Sequence, residues 1–375
     1  MRIIVAGGGT GGHIYPAITL INTIKSLVSS CEILYVGTRE GLEADLIPKE
    51  GLPFSTIEVR GFARSLSFKN VVTIVKTFGS VWESRRIIRE FRPDLVIGTG
   101  GYVCGPVLLA ASLMGIPTMI QEQNVIPGIT NKILAKFVDK IAVGYADADK
   151  YFKNSEKVVF TGNPIRGEVM TATREQGLSE LGLDPCKRTI LISGGSRGAR
   201  SINHAMLHVH QYFAKNQDIQ LLHVTGKNEY NGIVGNLMQM GIDIGTTGNI
   251  SIKPYLYDMP KALAVADLAI FRAGAIGLAE ITALGIPAIL IPYPHAAENH
   301  QEFNARVMER QGAAVVIRDC ELDGTKLLES INELIYDTDK LTMMANASKQ
   351  LGRPEAAETI ARMAINLAKR AEIKV

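Results

Sequence analysis

The sequence predicts an α/β protein of doubly wound parallel sheets, and three observations carry that expectation. Short β-rich runs alternate with helical stretches from start to finish. Several runs are apolar throughout, such as Thr189-Ile190-Leu191-Ile192 and Ala288-Ile289-Leu290-Ile291, which suits strands buried on both faces of a parallel sheet. Each half of the chain also opens alike: residues 4–13 (IVAGGGTGGH) and 190–199 (ILISGGSRGA) both read as a strand, a glycine turn and a helix start.

In chain order, the first half predicts strands at 2–6, 32–36, 94–98 and 117–121, with helices near 14–28, 69–91 and 103–114. The second half predicts strands near 188–193, 219–224, 266–270 and 287–291. Between them, Gly162-Asn163-Pro164 marks a boundary, because the residue before a proline is steered away from helix. In the tail, Pro354 fits a first helical turn, with Glu355 and Glu358 near its positive end.

At 375 residues the chain accommodates two domains, and 46% hydrophobic with 21% charged residues is a globular composition. A net charge of +3 gives no argument for a nucleic-acid partner. Cys31, Cys104, Cys186 and Cys320 lie far apart, which indicates neither a disulfide framework nor a zinc site and fits a reducing compartment. The apolar start Met1–Ala6 is too short for a signal peptide, and no window approaches a membrane-spanning helix.

Gly7, Gly9 and Gly12 match G-x-G-x-x-G directly after a strand. A dinucleotide site would also need a carboxylate at the tip of the second strand, where Val36-Gly37-Thr38-Arg39 has none. Arg39 beside a 2′-phosphate keeps an NADP-dependent oxidoreductase open, and a purely structural turn is the plainer alternative. Five glycines in the six positions 7–12 favour close backbone approach to a ligand, since each glycine in ordered structure costs roughly 0.5–1 kcal/mol relative to alanine. Free N–H groups at the helix start that follows suit a diphosphate.

The run Gly7 to His13, followed by Tyr15-Pro16-Ala17, closely resembles the MurG family of bacterial N-acetylglucosaminyltransferases. Further blocks agree in order: Gly100-Gly101-Tyr102-Val103 with Gly105-Pro106, Glu122-Gln123-Asn124 with Pro127-Gly128, Ser193-Gly194-Gly195-Ser196 with Gly198-Ala199-Arg200, Arg272-Ala273-Gly274-Ala275 with Glu280, and His300-Gln301 with Asn304-Ala305. The resemblance implies a GT-B fold, two Rossmann-like domains facing across a cleft. It implies an acceptor domain of residues 1–163, joined by a C-terminal helix at 346–375, and a donor domain of residues 164–345. It implies an inverting transfer of N-acetylglucosamine from UDP-N-acetylglucosamine to undecaprenyl-diphosphate-N-acetylmuramoyl-pentapeptide, with no cofactor, at the cytoplasmic face of the cell membrane.

Carried over by position, Thr10, Gly11 and Gly12 line the cleft from the first domain. Asn124, Arg166 and Ser196 would contact sugar and diphosphate, and Leu256 would meet uracil through its backbone. Ala275, Ile276, Gly277, Leu278, Ala279 and Glu280 would hold the nucleotide, with Glu280 on the ribose hydroxyls and Gln301 on the sugar. Three positions depart from the family pattern: Gly277 replaces a hydroxyl residue, Gln121 a frequent histidine, and Phe271 a small residue.

Asp147-Ala148-Asp149 matches the D-x-D motif of metal-dependent transferases, but it sits in a polar segment beginning a helix, where solvated carboxylates are ordinary. No other cluster has metal-ligand spacing. Helix N-termini, including one expected at the turn 194–196, and Arg166 can hold the diphosphate charge instead. Arg166 in an ion pair is the alternative. His13, at a helix start after the glycine loop, is the candidate general base, with capping or hydrogen bonding as its other role.

Residues 69–92 carry Val71, Val75, Phe78 and Trp82 at helical spacing, with Val72, Ile74 and Val81 nearby. Lys69, Lys76, Arg85, Arg86, Arg89 and Arg92 stand against only Glu83 and Glu90. An apolar stripe edged with positive charge suits an anionic membrane surface, each basic residue contributing roughly 1 kcal/mol. The same spacing also fits a core helix with a solvated basic side. A non-catalytic sugar-nucleotide binder or an epimerase would share this two-domain pattern.

Overall fold

The computed structural model describes residues 1–59, 69–153 and 155–372, the side chains of 69–78, 155 and 370–372 excepted. The chain divides into two compact units, Met1–Ile165 with Glu355–Val375, and Arg166–Pro354. Each is one parallel sheet covered by helices on both faces.

In the first unit the strands are β1 (Arg2–Ala6), β2 (Glu32–Gly37), β3 (Phe54–Thr56), β4 (Leu95–Gly98), β5 (Thr118–Glu122), β6 (Lys140–Val143) and β7 (Val158–Phe160). Their order is β3-β2-β1-β4-β5-β6-β7, every pairing parallel. Alternation along β1 sends Ile3 and Val5 to one face, against Ile14 and Ile21 of the helix Gly11–Leu27. Ile4 and Ala6 go to the other, with Ile88, Val107 and Leu108. The helix Ala356–Glu372 returns to close the first face with Ile360, Ala361, Ala364 and Ala368.

The second unit holds β8 (Arg188–Ser193), β9 (Ile219–Val224), β10 (Ile250–Lys253), β11 (Leu268–Phe271), β12 (Ala288–Leu290) and β13 (Ala314–Val316), in the order β10-β9-β8-β11-β12-β13. The same alternation splits β8: Ile190 and Ile192 face one core, Leu191 the other.

The expected tail of 346–375 is shorter than expected. The helix Thr338–Leu351 packs in the second unit, where Ser348 donates to the Ile286 carbonyl at 3.0 Å. A Cβ on Gly352 would stand 2.6 Å from the Thr282 carbonyl. Only the helix Ala356–Glu372 rejoins the first unit, after the short break around Pro354. At the other junction Asn163 is no loose hinge: it is buried, accepts from Gln121 Nε2 at 3.0 Å and donates to the Gln123 carbonyl at 2.9 Å. The amide of Gln121 thus does its work inside the first unit.

The basic segment forms the helix Lys69–Phe91. Ser80, Ser84 and Ile88 make its buried face, and Val81 is partly buried on the same core. Trp82, 67% exposed, lies on the opposite side, along with exposed Arg86 and Arg89. Val71, Val72, Ile74, Val75, Phe78, Lys69 and Lys76 lie outside the described side chains.

Candidate active-site residues at the carboxyl ends of the two sheets

In each sheet the strand order reverses at one point, between β1 and β4 in the first and between β8 and β11 in the second. Loops leaving the carboxyl ends of two such strands diverge to opposite faces and open a crevice, the usual ligand position in this architecture. Thr10, Gly11, Gly12 and His13 follow β1, Ser196 follows β8 and Ala275–Glu280 follow β11 at these points, whereas Asn124, Leu256 and Gln301 follow other strands, β5, β10 and β12.

In the first unit, β1 runs into Gly7–Thr10 and the helix Gly11–Leu27. β4 ends in Thr99-Gly100-Gly101, whose two glycines have φ of +112° and +87°. A Cβ on Gly100 would stand 2.7 Å from His13 Cδ2, and one on Gly101 would overlap the Gly8 carbonyl oxygen. Only glycine lets the two loops meet. Gly8 N–H donates to the Gly100 carbonyl at 3.2 Å, and the Thr99 hydroxyl donates to the His13 carbonyl at 2.8 Å.

His13 Nδ1 lies 2.9 Å from the Gly8 carbonyl oxygen. A carbonyl can only accept, so Nδ1 carries the proton and Nε2 is left as the lone-pair nitrogen of the neutral ring. Thr10 Oγ1 is a more distant neighbour of Nδ1, at 3.4 Å, and makes no cap hydrogen bond. Beneath the loop Cys104 is buried, and its thiol is pushed up to about 12 by that burial, which leaves it inert.

One residue at this loop escaped the sequence reading. Glu43, fully buried on the helix Leu42–Lys49, accepts from Gly9 N–H at 3.0 Å and from the Thr38 N–H and hydroxyl at 3.0 and 2.7 Å. Here is the carboxylate missing from the tip of β2, but it holds backbone rather than facing a ribose. The flanking Gly37 and Gly41 are its only local signature. Arg39 meets Thr56 Oγ1 at 3.4 Å.

Asn124 follows β5 on a loop tied by Glu122. Its buried carboxylate accepts from Asn124 N–H (2.9 Å), Gly128 N–H (3.0 Å) and Asn131 Nδ2 (2.7 Å).

In the second unit, Ser196 lies on an exposed turn after β8. The helix expected to begin at 194–196 starts only at Arg200. A tight turn intervenes, closed by Gly198 N–H to the Gly195 carbonyl at 2.9 Å, because positive φ at Gly195 and Gly198 breaks the helical path. The helix start that does meet the strand end is Ala275–Leu284, directly after β11. Its first turn, Ala275, Ile276 and Gly277, has N–H groups with no intrahelical acceptor, a ready anion site. A Cβ on Gly277 would meet only Phe271 Cδ1, at 4.0 Å, so the missing hydroxyl residue leaves open space. Leu278 is buried in the core, Ala279 half-buried, and Glu280 turns inward at 6% exposure.

Arg166 Nε and Nη2 donate to Glu280 Oε1 at 3.1 and 2.9 Å. Burial pushes the Glu280 carboxyl above its ordinary value, and Arg166 opposes that rise without cancelling it. Leu256, half-buried, follows β10 between Tyr255 and the exposed Tyr257, whose rings meet edge to face at 4.7 Å. Gln301 Oε1 accepts from Tyr293 N–H at 2.9 Å, which fixes the loop after β12. Arg272, another residue without an expected role, braces that loop from below, donating to the Ile291 and Pro292 carbonyls, Asp319 and Ser201.

Asp147 and Asp149 belong to a 3-10 turn, Ala146–Tyr151, after β6. Among the described residues no three His, Cys, Asp or Glu side chains cluster as metal ligands.

Two family models match this chain, the glycosyltransferase family 28 N-terminal domain over residues 3–143 and its C-terminal domain over residues 189–360. A relative from Halothermothrix orenii is 49% identical over 98% of this chain and 100% of its own. One from Desulforamulus reducens is 48% identical over 96% and 97%. Both are named UDP-N-acetylglucosamine--N-acetylmuramyl-(pentapeptide) pyrophosphoryl-undecaprenol N-acetylglucosamine transferase. The chain belongs to glycosyltransferase family 28 and, within it, to the MurG family.

The crystal structure of Acinetobacter baumannii MurG superposes with a TM-score of 0.75 at 26% identity, covering 97% of this chain and 99% of that one. Two parallel-sheet units of GT-B type are thus the MurG-family fold, as the resemblance implied. Family membership also removes the NADP-dependent reading of the glycine loop, in accord with Glu43 binding the backbone of Gly9.

Proposed function

We propose that this chain transfers N-acetylglucosamine from UDP-N-acetylglucosamine to undecaprenyl-diphosphate-N-acetylmuramoyl-pentapeptide in peptidoglycan synthesis. The observation that carries the proposal is near-full-length identity of 48–49% to relatives named for that reaction. Such identity favours a transferase over an epimerase or a non-catalytic binder.

In this reading the acceptor hydroxyl attacks the anomeric carbon from the face opposite the diphosphate. A new carbon–oxygen bond forms with inversion, the bond to UDP breaks, and the proton leaves the attacking hydroxyl. His13 Nε2 takes that proton. Within the first unit Thr10, Gly11, Gly12 and Asn124 are assigned to substrate. Within the second, Ser196 and Arg166 are assigned to the donor, with the helix start Ala275–Gly277, whose free N–H groups suit the charge growing on the leaving UDP. Glu280 holds the ribose, Leu256 the uracil and Gln301 the sugar.

No described helix is long and apolar enough to cross a membrane. We assign the protein to the cytoplasmic membrane face as a peripheral enzyme, on the support of exposed Trp82, Arg86 and Arg89. Leu113, Ile129, Ile133 and Phe137 are exposed as well, at 63, 64, 57 and 45%, beside Lys132 and Lys136. Ser112, next to Leu113 in the chain, donates to the Phe137 carbonyl at 3.0 Å. Charge reversal at Arg85, Arg86 and Arg89 should release the protein from anionic vesicles at low salt; unchanged sedimentation would make the helix structural only.

The deciding experiment is label transfer from UDP-N-acetylglucosamine to a lipid-diphosphate-muramoyl acceptor, with and without EDTA. Transfer that survives EDTA supports activity and a metal-independent route. Loss with rescue by magnesium would revive Asp147 and Asp149 as candidate ligands, and no transfer by folded protein overturns the proposal. His13→Ala should lower turnover by about 100-fold or more, within the usual range for general-base loss, with donor KM little changed.

A further inference from the structure

Glu43 is a buried carboxylate to which the proposed chemistry gives no task. Its donors among the described residues are N–H and O–H groups. Gly8, Gly37 and Gly41 surround it so closely that a Cβ on any of them would collide with its side chain. Burial by itself would raise this carboxyl, but the Thr38 hydroxyl and the N–H groups of Gly9, Glu43 and Thr38 hold it below its ordinary value. It is therefore an anion at neutral pH.

The donor at Gly9 and the acceptor at Gly8 belong to one peptide group. Gly9 N–H points at Glu43 Oε2 at 3.0 Å, and the Gly8 carbonyl takes the His13 Nδ1 proton at 2.9 Å. Hydrogen bonds in series polarise one another, so an anion on the N–H end strengthens the carbonyl as an acceptor at the other. The neighbours hold this peptide in place: Gly8 N–H is anchored on the Gly100 carbonyl, and Gly101 packs on the Gly8 oxygen. A competing arrangement exists, with the Thr10 hydroxyl, 3.4 Å from Nδ1, donating to a ring protonated on Nε2.

We propose that Glu43 acts through the Gly8–Gly9 peptide to keep the His13 proton on Nδ1 and the Nε2 lone pair free for the acceptor hydroxyl. Glu43 is then a positioning residue, doing at one peptide's remove what a carboxylate in direct contact does for the histidine of a catalytic triad. Its relevance to turnover rests on His13 being the base; its effect on the ring does not.

The test is a two-bond 1H–15N correlation spectrum of histidine-labelled protein at pH about 8, with His13→Gln to assign the signal and steady-state kinetics alongside. Wild type should show His13 with a protonated Nδ1 and an unprotonated Nε2. Glu43→Gln should mix the tautomers and lower kcat about tenfold or more, with donor KM within about twofold. Thr38→Val, which keeps the carboxylate and removes one donor to it, should keep the wild-type tautomer. A wild-type ring protonated on Nε2 overturns the proposal without any variant. So does an unaltered tautomer in folded Glu43→Gln, or the same loss in Thr38→Val. Undiminished turnover in His13→Gln would sink the base reading and leave the tautomer result standing.

Discussion

Arg166 Nε and Nη2 converge on a single oxygen of Glu280, Oε1, at 3.1 and 2.9 Å, and so join the first residue of the second unit to the helix after β11. The other oxygen, Oε2, lies outside the pair. A carboxylate this deeply buried needs such a partner, because desolvation otherwise favours its neutral form.

Glu280→Gln keeps an acceptor for Arg166 and removes the charge. Donor KM should rise about 10- to 100-fold, the range of one hydrogen bond to a charged group, with kcat changed far less. Arg166→Ala strands the carboxylate and should lower stability by about 1–3 kcal/mol, read by urea unfolding. An unaltered KM in Glu280→Gln would remove Glu280 from the donor site.

Gly101→Ala combines a φ of +87° with a Cβ against the Gly8 carbonyl oxygen. The loop that orients His13 must then shift. We expect stability to fall by about 1–3 kcal/mol and kcat by more than about 100-fold. Activity near wild type would show that the position of the Gly8 carbonyl is unimportant.

His210 and His223 form a buried pair, His210 Nε2 to His223 Nδ1 at 3.0 Å, with His223 Nε2 on Asn203 Oδ1 at 3.0 Å. Asn203 Nδ2 is spent on the Thr225 carbonyl, so His223 Nε2 carries a proton, Nδ1 accepts and His210 Nε2 donates. Burial pulls His210 down to about 3, and burial together with His210 pulls His223 well down. The folded chain refuses protons that the unfolded chain, near 6.5, accepts. The stability these neutral rings contribute is complete above about pH 6.5 and is lost as pH falls toward 3, at up to about 1.4 kcal/mol per unit for each ring. His210→Leu should flatten urea-unfolding stability between pH 5 and 6.5. An equal slope in the variant would assign the acid sensitivity to other groups.

Gly277→Ser places a side chain in open space on a helix. Stability should stay level or rise by up to about 1 kcal/mol, and donor KM should stay level or fall. A clear rise in KM, measured with UDP-N-acetylglucosamine, would mean that the backbone of Gly277 packs directly on the nucleotide.

Much of the fold is legible locally. Apolar runs such as Thr189–Ile192 and the glycine turn after each opening strand reflect burial on both faces and a backbone that must turn at once into a helix. The strands at 2–6, 188–193 and 219–224 match the structure residue for residue. The short strands β3, β6, β7, β10 and β13, at or near the sheet edges, escaped the sequence pattern, since a strand's fit depends on its neighbours as well as on its own residues.

By itself, then, the sequence determined the doubly wound class, the glycine loops and, through ordered motif blocks, the family. The tertiary structure decided what depends on contacts between residues far apart in the chain. It set Glu43 under Gly9 across 34 residues and Arg166 on Glu280 across 114, and it assigned residues 346–354 to the second unit. A carboxylate does not show in the sequence which N–H group or guanidinium it will meet. Periodicity encodes a residue's own exposure and conformation, and partner choice is settled only when the sheets bring distant loops together.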